Sequence, residues 1–326
     1  MTILEKNKTC SSTVTETHVT AADHFATYVL RSQELEVSVV PALGAKITTL
    51  RNLRSRREWL WSAPDGRGLR KSRPGDAFET GSMAGIDECV PTIAPCRLGD
   101  QCLPDHGEAW ARAWTVCQSA WAEGRLRTTL DLACLPLRIE RELTLEANVL
   151  TLRYQLSNLS DVLQPGFWAF HPLFARHEGD HIDLAPRVCA VKVDSQLGLG
   201  LNAGAIVSWP CPHPGLNLST FTSADGGDWY AKLFVDGTYS GGATIANAHT
   251  GDRLEISFES DRAMHLGIWI TRGGWNGFDH FALEPTAHAG ETPAADDPFG
   301  QLLPPYTTRT WQVRLSCAVN EKNLPL

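Results

Sequence analysis

Apolar residues recur at every second position along most of this chain. Leu35, Val37 and Val39 alternate with polar neighbours, as do Leu126, Thr128, Leu130 and Leu132. Leu137, Ile139, Leu143 and Leu145 follow with charged residues in the middle of the run, then Leu150, Leu152, Tyr154 and Leu156. Leu254, Ile256 and Phe258 repeat the pattern, then Met264, Leu266, Ile268 and Ile270, and finally Trp311, Val313 and Leu315. A period of two marks a strand with one buried face. Turn-forming residues separate the runs at Glu123-Gly124, Asn148, Asn158, Asp236-Gly237 and Thr250-Gly251-Asp252. No long segment carries the 3.6-residue apolar period of an amphipathic helix. The pattern predicts an all-β protein, a large antiparallel β-sandwich with few short helices.

No break in composition marks a linker, so residues 24–326 read as one domain whose strands end near Val319. Residues 1–23, polar and rich in Thr and Ser, read as a mobile tail. Residues 289–305 contain four prolines and the acidic pair Asp296-Asp297, and read as a surface loop.

Charge and cysteine usage narrow the function classes. A formal net charge of −8 over 326 residues argues against a nucleic-acid surface and is compatible with a sugar or another neutral small molecule. The 9 cysteines form no C-x-x-C pair, and their spacing offers neither a zinc site nor a disulfide framework. Reduced thiols in a cytoplasmic protein are the expectation. The first 24 residues lack the apolar core of a signal peptide and the basic pattern of a transit peptide. No run of roughly 18 apolar residues predicts a membrane span. One stretch, residues 51–73, is locally basic through Arg51, Arg54, Arg56, Arg57, Arg67, Arg70, Lys71 and Arg73. It reads as a solvated hairpin and loop, or as a grip for a phosphate or an acidic sugar.

Three segments carry candidate chemistry. In Leu283-Glu284-Pro285 a carboxylate ends an apolar run, and Pro285 holds Glu284 extended. Such a group is either a paired structural carboxylate or a tuned catalytic base. In Leu103-Pro104-Asp105-His106-Gly107-Glu108-Ala109-Trp110 and Phe167-Trp168-Ala169-Phe170-His171-Pro172-Leu173-Phe174, a histidine adjoins a turn former, so neither histidine is expected in mid-strand. Taken singly, His171 reads as a satisfied core histidine and His106 as a surface residue. Taken together, two histidines and a carboxylate suit acid/base chemistry or a His-His-Glu metal site.

The order of these segments resembles the galactose mutarotase-like superfamily, the aldose 1-epimerases and their bacterial relatives. The matching stretches are Pro41-Ala42-Leu43-Gly44-Ala45-Lys46-Ile47, Gly85-Ile86-Asp87-Glu88-Cys89-Val90-Pro91-Thr92 and Pro104-Asp105-His106-Gly107. Phe170-His171-Pro172-Leu173-Phe174 and Gly267-Ile268-Trp269 leading to Leu283-Glu284-Pro285 complete the set. The resemblance implies a large antiparallel β-sandwich with a sugar cleft on one face. It implies Glu284 as general base, His171 as general acid and His106 as a second histidine near the sugar ring oxygen. It implies an arginine contact, for which Cys96-Arg97 keeps the arginine and loses the preceding asparagine, and an aspartate contact, for which Asp228 and Asp236 both qualify. Asp87-Glu88 departs from the best-known aldose 1-epimerases towards the bacterial relatives and adds Glu88 as a substrate contact. Trp275, in Gly273-Gly274-Trp275-Asn276-Gly277, is the tryptophan expected at the cleft edge, while most others belong to the core.

The expected reaction interconverts the α and β anomers of a hexose or related sugar. A base takes the C1 hydroxyl proton, an acid protonates the ring oxygen, and the open chain recloses on its other face. Neither metal nor redox cofactor is required. A phosphorylated or acidic sugar, held by the basic stretch, is the second enzyme reading. A carbohydrate-binding protein without catalysis on the same scaffold is the third, and a metal-dependent enzyme using His106, His171 and Glu284 the fourth. The family contains monomers and homodimers, and the sequence does not choose.

Overall fold

A computed structural model describes residues 13–19, 25–64, 69–184, 188–222, 226–293 and 301–319. Almost every described element is a strand, and α1 (Gln118–Ala122) is a helix of five residues. The alternating runs fold as expected. The charged middle of Leu137–Glu146 (β10) is accommodated because Arg138, Glu140 and Glu142 face outward while Arg141 takes an inward position.

One sheet has eleven strands. Its order begins β1 (Val14–Val19), β2 (Ala26–Arg31), β3 (Leu35–Val40), β4 (Lys46–Asn52) and β5 (Ile86–Cys89). It continues with β12 (Ala169–Pro172), β20 (Asp279–Thr286), β19 (His265–Arg272) and β16 (Trp229–Val235), and ends with β14 (Ala190–Leu197) and β15 (Ile206–Ser208). The second sheet has eight strands in the order β13 (Asp180–Leu184), β17 (Ala243–Asn247), β18 (Asp252–Ser260), β21 (Thr308–Val319), β11 (Val149–Asn158), β10, β9 (Leu126–Asp131) and β8 (Thr115–Val116). The described strands pair antiparallel throughout, including β10 with β11 and β19 with β20. A separate hairpin joins β6 (Cys96–Leu98) to β7 (Gln101–Leu103).

The inward faces of both sheets share one core. Val37, Val39 and Leu283 of the first sheet belong to the same buried cluster as Leu143, Leu152, Ile256 and Val313 of the second. A buried polar link crosses it. Arg141 Nη1 donates to Glu88 Oε1 at 2.8 Å, and the Tyr154 hydroxyl donates to the same oxygen at 2.8 Å. Trp168 Nε1 donates to Glu88 Oε2 at 2.7 Å, so both carboxylate oxygens are satisfied. This pairing ties β5 to β10 and β11 across the sandwich.

Three sequence expectations change. Residues 14–19, assigned to the tail, pair with β2 as the edge strand β1, because a segment with alternating Thr15 and Thr17 and a valine at each end can extend along an open edge. Residues 1–12 and 20–23 of that expected tail lie outside the described residues. Glu284 does not end its strand. Pairing continues to Thr286 opposite His265, with Pro285 opposite Leu266. His171 likewise lies within the short strand β12, opposite Asp87. Among the described residues no helix is long and apolar enough to cross a membrane.

Candidate active site

Strand register assembles the site on the outer face of the eleven-stranded sheet. Asp87 on β5 opposes His171 on β12. Strands β12 and β20 meet at Ala169 and Thr286, which sets Glu284 beside His171 two residues further along. Glu284 opposes Gly267 on β19, and Lys232 on β16 opposes Trp269 on β19 and Ser195 on β14. Alternation then sends His280, Glu284, Trp269, Tyr230 and Lys232 to one face. They line a pocket of about 250 Å³ whose wall also includes Phe78, Asp105, His106, His171, Trp275 and Glu291.

Glu284 is fully buried, and its two oxygens differ. Oε2 accepts a hydrogen bond from Lys232 Nζ at 2.5 Å, while Oε1 has no hydrogen-bond partner among the described residues. A buried carboxylate costs several kcal/mol unless paired, and Lys232 offsets that cost. Burial opposes the charge on Lys232, but Glu284 and then Glu291, whose Oε1 is 3.7 Å from Nζ, outweigh it and hold the lysine pKa above its ordinary value. Gly267 makes room for the pair: a Cβ there would stand 3.1 Å from Glu284 Oε2 and 3.3 Å from its Cβ.

His106 is presented by a tight turn. It has φ 55°, and Gly107 follows at φ 70°. A Cβ at Gly107 would lie 2.0 Å from the Val90 carbonyl oxygen, so glycine is required there. His106 Nδ1 is 2.8 Å from Asp105 Oδ1. Burial opposes ionisation of Asp105, but hydrogen bonds from His106 and from the Phe78 amide hold its carboxyl below the usual value. An ionised carboxylate only accepts, so Nδ1 donates and Nε2 is left for the pocket. The Phe78 ring stacks on His106 at 4.0 Å between centroids.

His171 stands edge-on to His106, centroids 5.0 Å apart. Its Nδ1 is buried without a hydrogen-bond partner among the described residues. Burial, reinforced by His106, Lys232 and His280, holds its pKa well below the ordinary histidine value, so the imidazole is neutral in the free protein. His280 is pushed down to about 3 by burial; its Nε2 accepts from Trp269 Nε1 at 3.2 Å.

The pocket therefore gathers Glu284, His171, His106 and Trp275 from the residues expected on sequence grounds. Trp275 sits half-buried at the rim, edge-on to Trp269 at 5.7 Å. Four expected substrate contacts lie elsewhere. Glu88 points the other way because it alternates with Asp87, which shares the His171 face of the sheet and is held by Lys46, and it is consumed by the Arg141, Tyr154 and Trp168 bonds; burial pushes its carboxyl up against the pull of Arg141. Arg97 is exposed on the β6–β7 hairpin, within 3.5 Å of Cys102 Sγ. Asp236 is exposed in the turn after β16, and Asp228 is exposed before that strand at φ 66°.

Sequence reasoning missed Lys232, His280, Asp105 and Glu291. Lys232 interrupts Trp229–Val235 as a charge within an apolar strand, the same signal that singled out Glu284. Glu291 comes from the expected surface loop, part of which folds back: the Ile93 and Ala94 amides donate to its carbonyl at 2.8 and 2.9 Å. The described members of the basic stretch do not line the pocket. Arg57 binds Asp180 through two hydrogen bonds and Arg51 lies beside Glu36 and Glu58; Arg67 lies outside the described residues.

Neither a protein-family model nor a curated protein matches the sequence. Solved structures do match. A galactose mutarotase-like protein from Clostridium acetobutylicum aligns with a TM-score of 0.66 at 14% identity, over 94% of this chain and 99% of its own. The galactose mutarotase related enzyme from Lactobacillus acidophilus gives 0.64 at 15% identity, over 92% and 100% of the two chains. A galactose mutarotase-like protein from Lactobacillus casei gives 0.62 at 15% identity, over 90% and 100%. The two-sheet architecture is thus the galactose mutarotase-like fold, and this chain has it.

Proposed function

We propose that the protein is an aldose 1-epimerase-type isomerase acting on a neutral aldose. The observation that carries this reading is Glu284: a buried carboxylate with one oxygen fixed by Lys232 and the other free, in a pocket that also holds two histidines. Glu284 Oε1 takes the C1 hydroxyl proton, and His171 protonates the ring oxygen as the C1–O5 bond opens. His106, with its tautomer fixed by Asp105, hydrogen-bonds the sugar through Nε2. Reclosure after rotation reverses the transfers. Each positioned acid or base supplies about 10²–10⁴-fold, and orientation in the pocket adds to it.

The lining supports a neutral sugar. Among the described residues, Lys232 is the pocket's one lysine or arginine, and it is already engaged by Glu284 and Glu291. A phosphate or carboxylate on the sugar would meet Asp105, Glu284 and Glu291 without a free cation. Tyr230, Trp269 and Trp275 offer aromatic faces for sugar C–H groups.

The test is anomer exchange by NMR on galactose, glucose, a sugar 6-phosphate and a uronic acid, comparing the protein with Glu284→Gln. Accelerated exchange on a neutral sugar, lost in the variant, is the expected result. Binding without acceleration on any of the four would assign the protein to carbohydrate binding instead.

A further inference from the structure

A third side chain closes on the two histidines. Cys89 Sγ and one ring nitrogen each of His106 and His171 lie within 4.8 Å of one another. The three come from different places: Cys89 from β5, His171 from the adjacent β12, and His106 from the turn after β7. Cys89 is a fully buried free thiol. The Glu284 carboxylate, the acidic partner expected for a metal in this region, is instead held by Lys232.

We propose that Cys89, His106 and His171 form a binding site for a thiolate-preferring metal ion, with Zn²⁺ as the best-matched species. Three features support it beyond proximity. First, one thiolate and two imidazoles select zinc or a similar borderline-soft ion over Mg²⁺ or Ca²⁺, which take oxygen ligands. Second, Asp105 sits behind His106 on Nδ1, the carboxylate–histidine arrangement that orients a metal-binding imidazole and leaves Nε2 as the ligand. Third, His171 carries a buried ring nitrogen with no hydrogen-bond partner, a deficit that coordination can relieve.

Bond lengths of roughly 2.0–2.3 Å in tetrahedral geometry require donors about 3.3–3.6 Å apart. Separations of up to 4.8 Å need a contraction of up to about 1.2–1.5 Å, within reach of rotation at the Cys89, His106 and His171 side chains. Binding Zn²⁺ releases the thiol proton of Cys89 to solvent. Three protein ligands leave a fourth position facing the sugar pocket, open to water or a sugar hydroxyl. Because two of the ligands also serve the proposed isomerase, bound zinc would compete with ring opening. The site itself does not depend on that activity.

The experiment is titration of chelator-stripped protein with Co²⁺, followed by displacement with Zn²⁺. A thiolate-to-cobalt charge-transfer band, abolished by Zn²⁺, is expected for the unaltered protein. Cys89→Ser should remove that band and weaken Zn²⁺ binding by at least 100-fold. Asp105→Asn should weaken it by about 10–100-fold, as loss of an outer partner does. Thermal melting without metal checks that each variant folds; if Cys89→Ser does not, X-ray absorption of the zinc-loaded unaltered protein must show one sulfur and two imidazole nitrogens. A band that survives Cys89→Ser, the absence of any band, or an absorption spectrum lacking the sulfur would overturn the proposal. None of these readouts requires sugar turnover, so failure of the isomerase reading would leave them intact.

Discussion

Lys232 Nζ and Glu284 Oε2 are 2.5 Å apart on strands separated by β19, and Gly267, lying between them, has no side chain to keep them apart. The pair leaves Glu284 with a single free oxygen. A base that must be ionised in a fully buried position needs this kind of partner, since burial alone favours the neutral acid.

Lys232→Met should therefore cost both stability and activity. Removing one member of a buried pair destabilises by roughly 3–5 kcal/mol, read as a lower midpoint in urea unfolding. Anomer exchange should fall by about 10²–10⁴-fold, the contribution of a positioned base. Adding Glu284→Gln to Lys232→Met should recover much of the stability and none of the activity. A double variant no more stable than Lys232→Met would refute the pairing.

The pH dependence of catalysis has a definite sign. His171 acts as an acid on the proposed mechanism, yet its pKa in the free protein is held well below the ordinary value, first by burial. At neutral pH the protonated fraction is small and grows up to tenfold per unit as pH falls. The value of kcat/KM, which reports the free enzyme, should rise on acidification from pH 7.5 until protonation of the base reverses it. His171→Gln should lower the rate and flatten this rise. A rate that stays level through neutrality and falls only on further acidification would instead make His171 the base.

His280 gives a separate dependence for stability. Its pKa is about 3 in the folded chain and near 6.5 when unfolded, so the unfolded state binds the proton first on acidification. The stability it preserves is complete above pH 6.5 and is lost as pH falls towards 3. By pH 5 the loss is roughly 2 kcal/mol. His280→Phe should show a shallower decline in unfolding free energy between pH 7 and 5, whatever its offset from losing the Trp269 hydrogen bond.

Glu88 separates structure from sugar contact. Glu88→Ala strands Arg141 in the core and should cost roughly 3–5 kcal/mol. The protein that remains folded should keep its KM for the sugar. A raised KM with unchanged stability would return Glu88 to the substrate site.

The sequence by itself determined the elements and the residues that fall into the sheets. Period-two alternation is a local property, enforced by each strand having one dry face, so β9, β10, β11, β18, β19 and β21 were legible without neighbours. Glu284, His106 and His171 also stood out locally, because a polar group beside a turn or in apolar company needs a reason. Which face each side chain would use, and which other strand would lie beside it, was not local information. Adjacent residues point to opposite faces, so Asp87 and Cys89 share the sheet face that carries His171 while Glu88 went to the core. Lys232 and Glu284, 52 positions apart in sequence, and the turn that sets Asp105 behind His106, were brought into the site only by strand order and register. Those long-range pairings supplied the charge balance of Glu284, the neutral state of His171 and the meeting of Cys89 with two histidines.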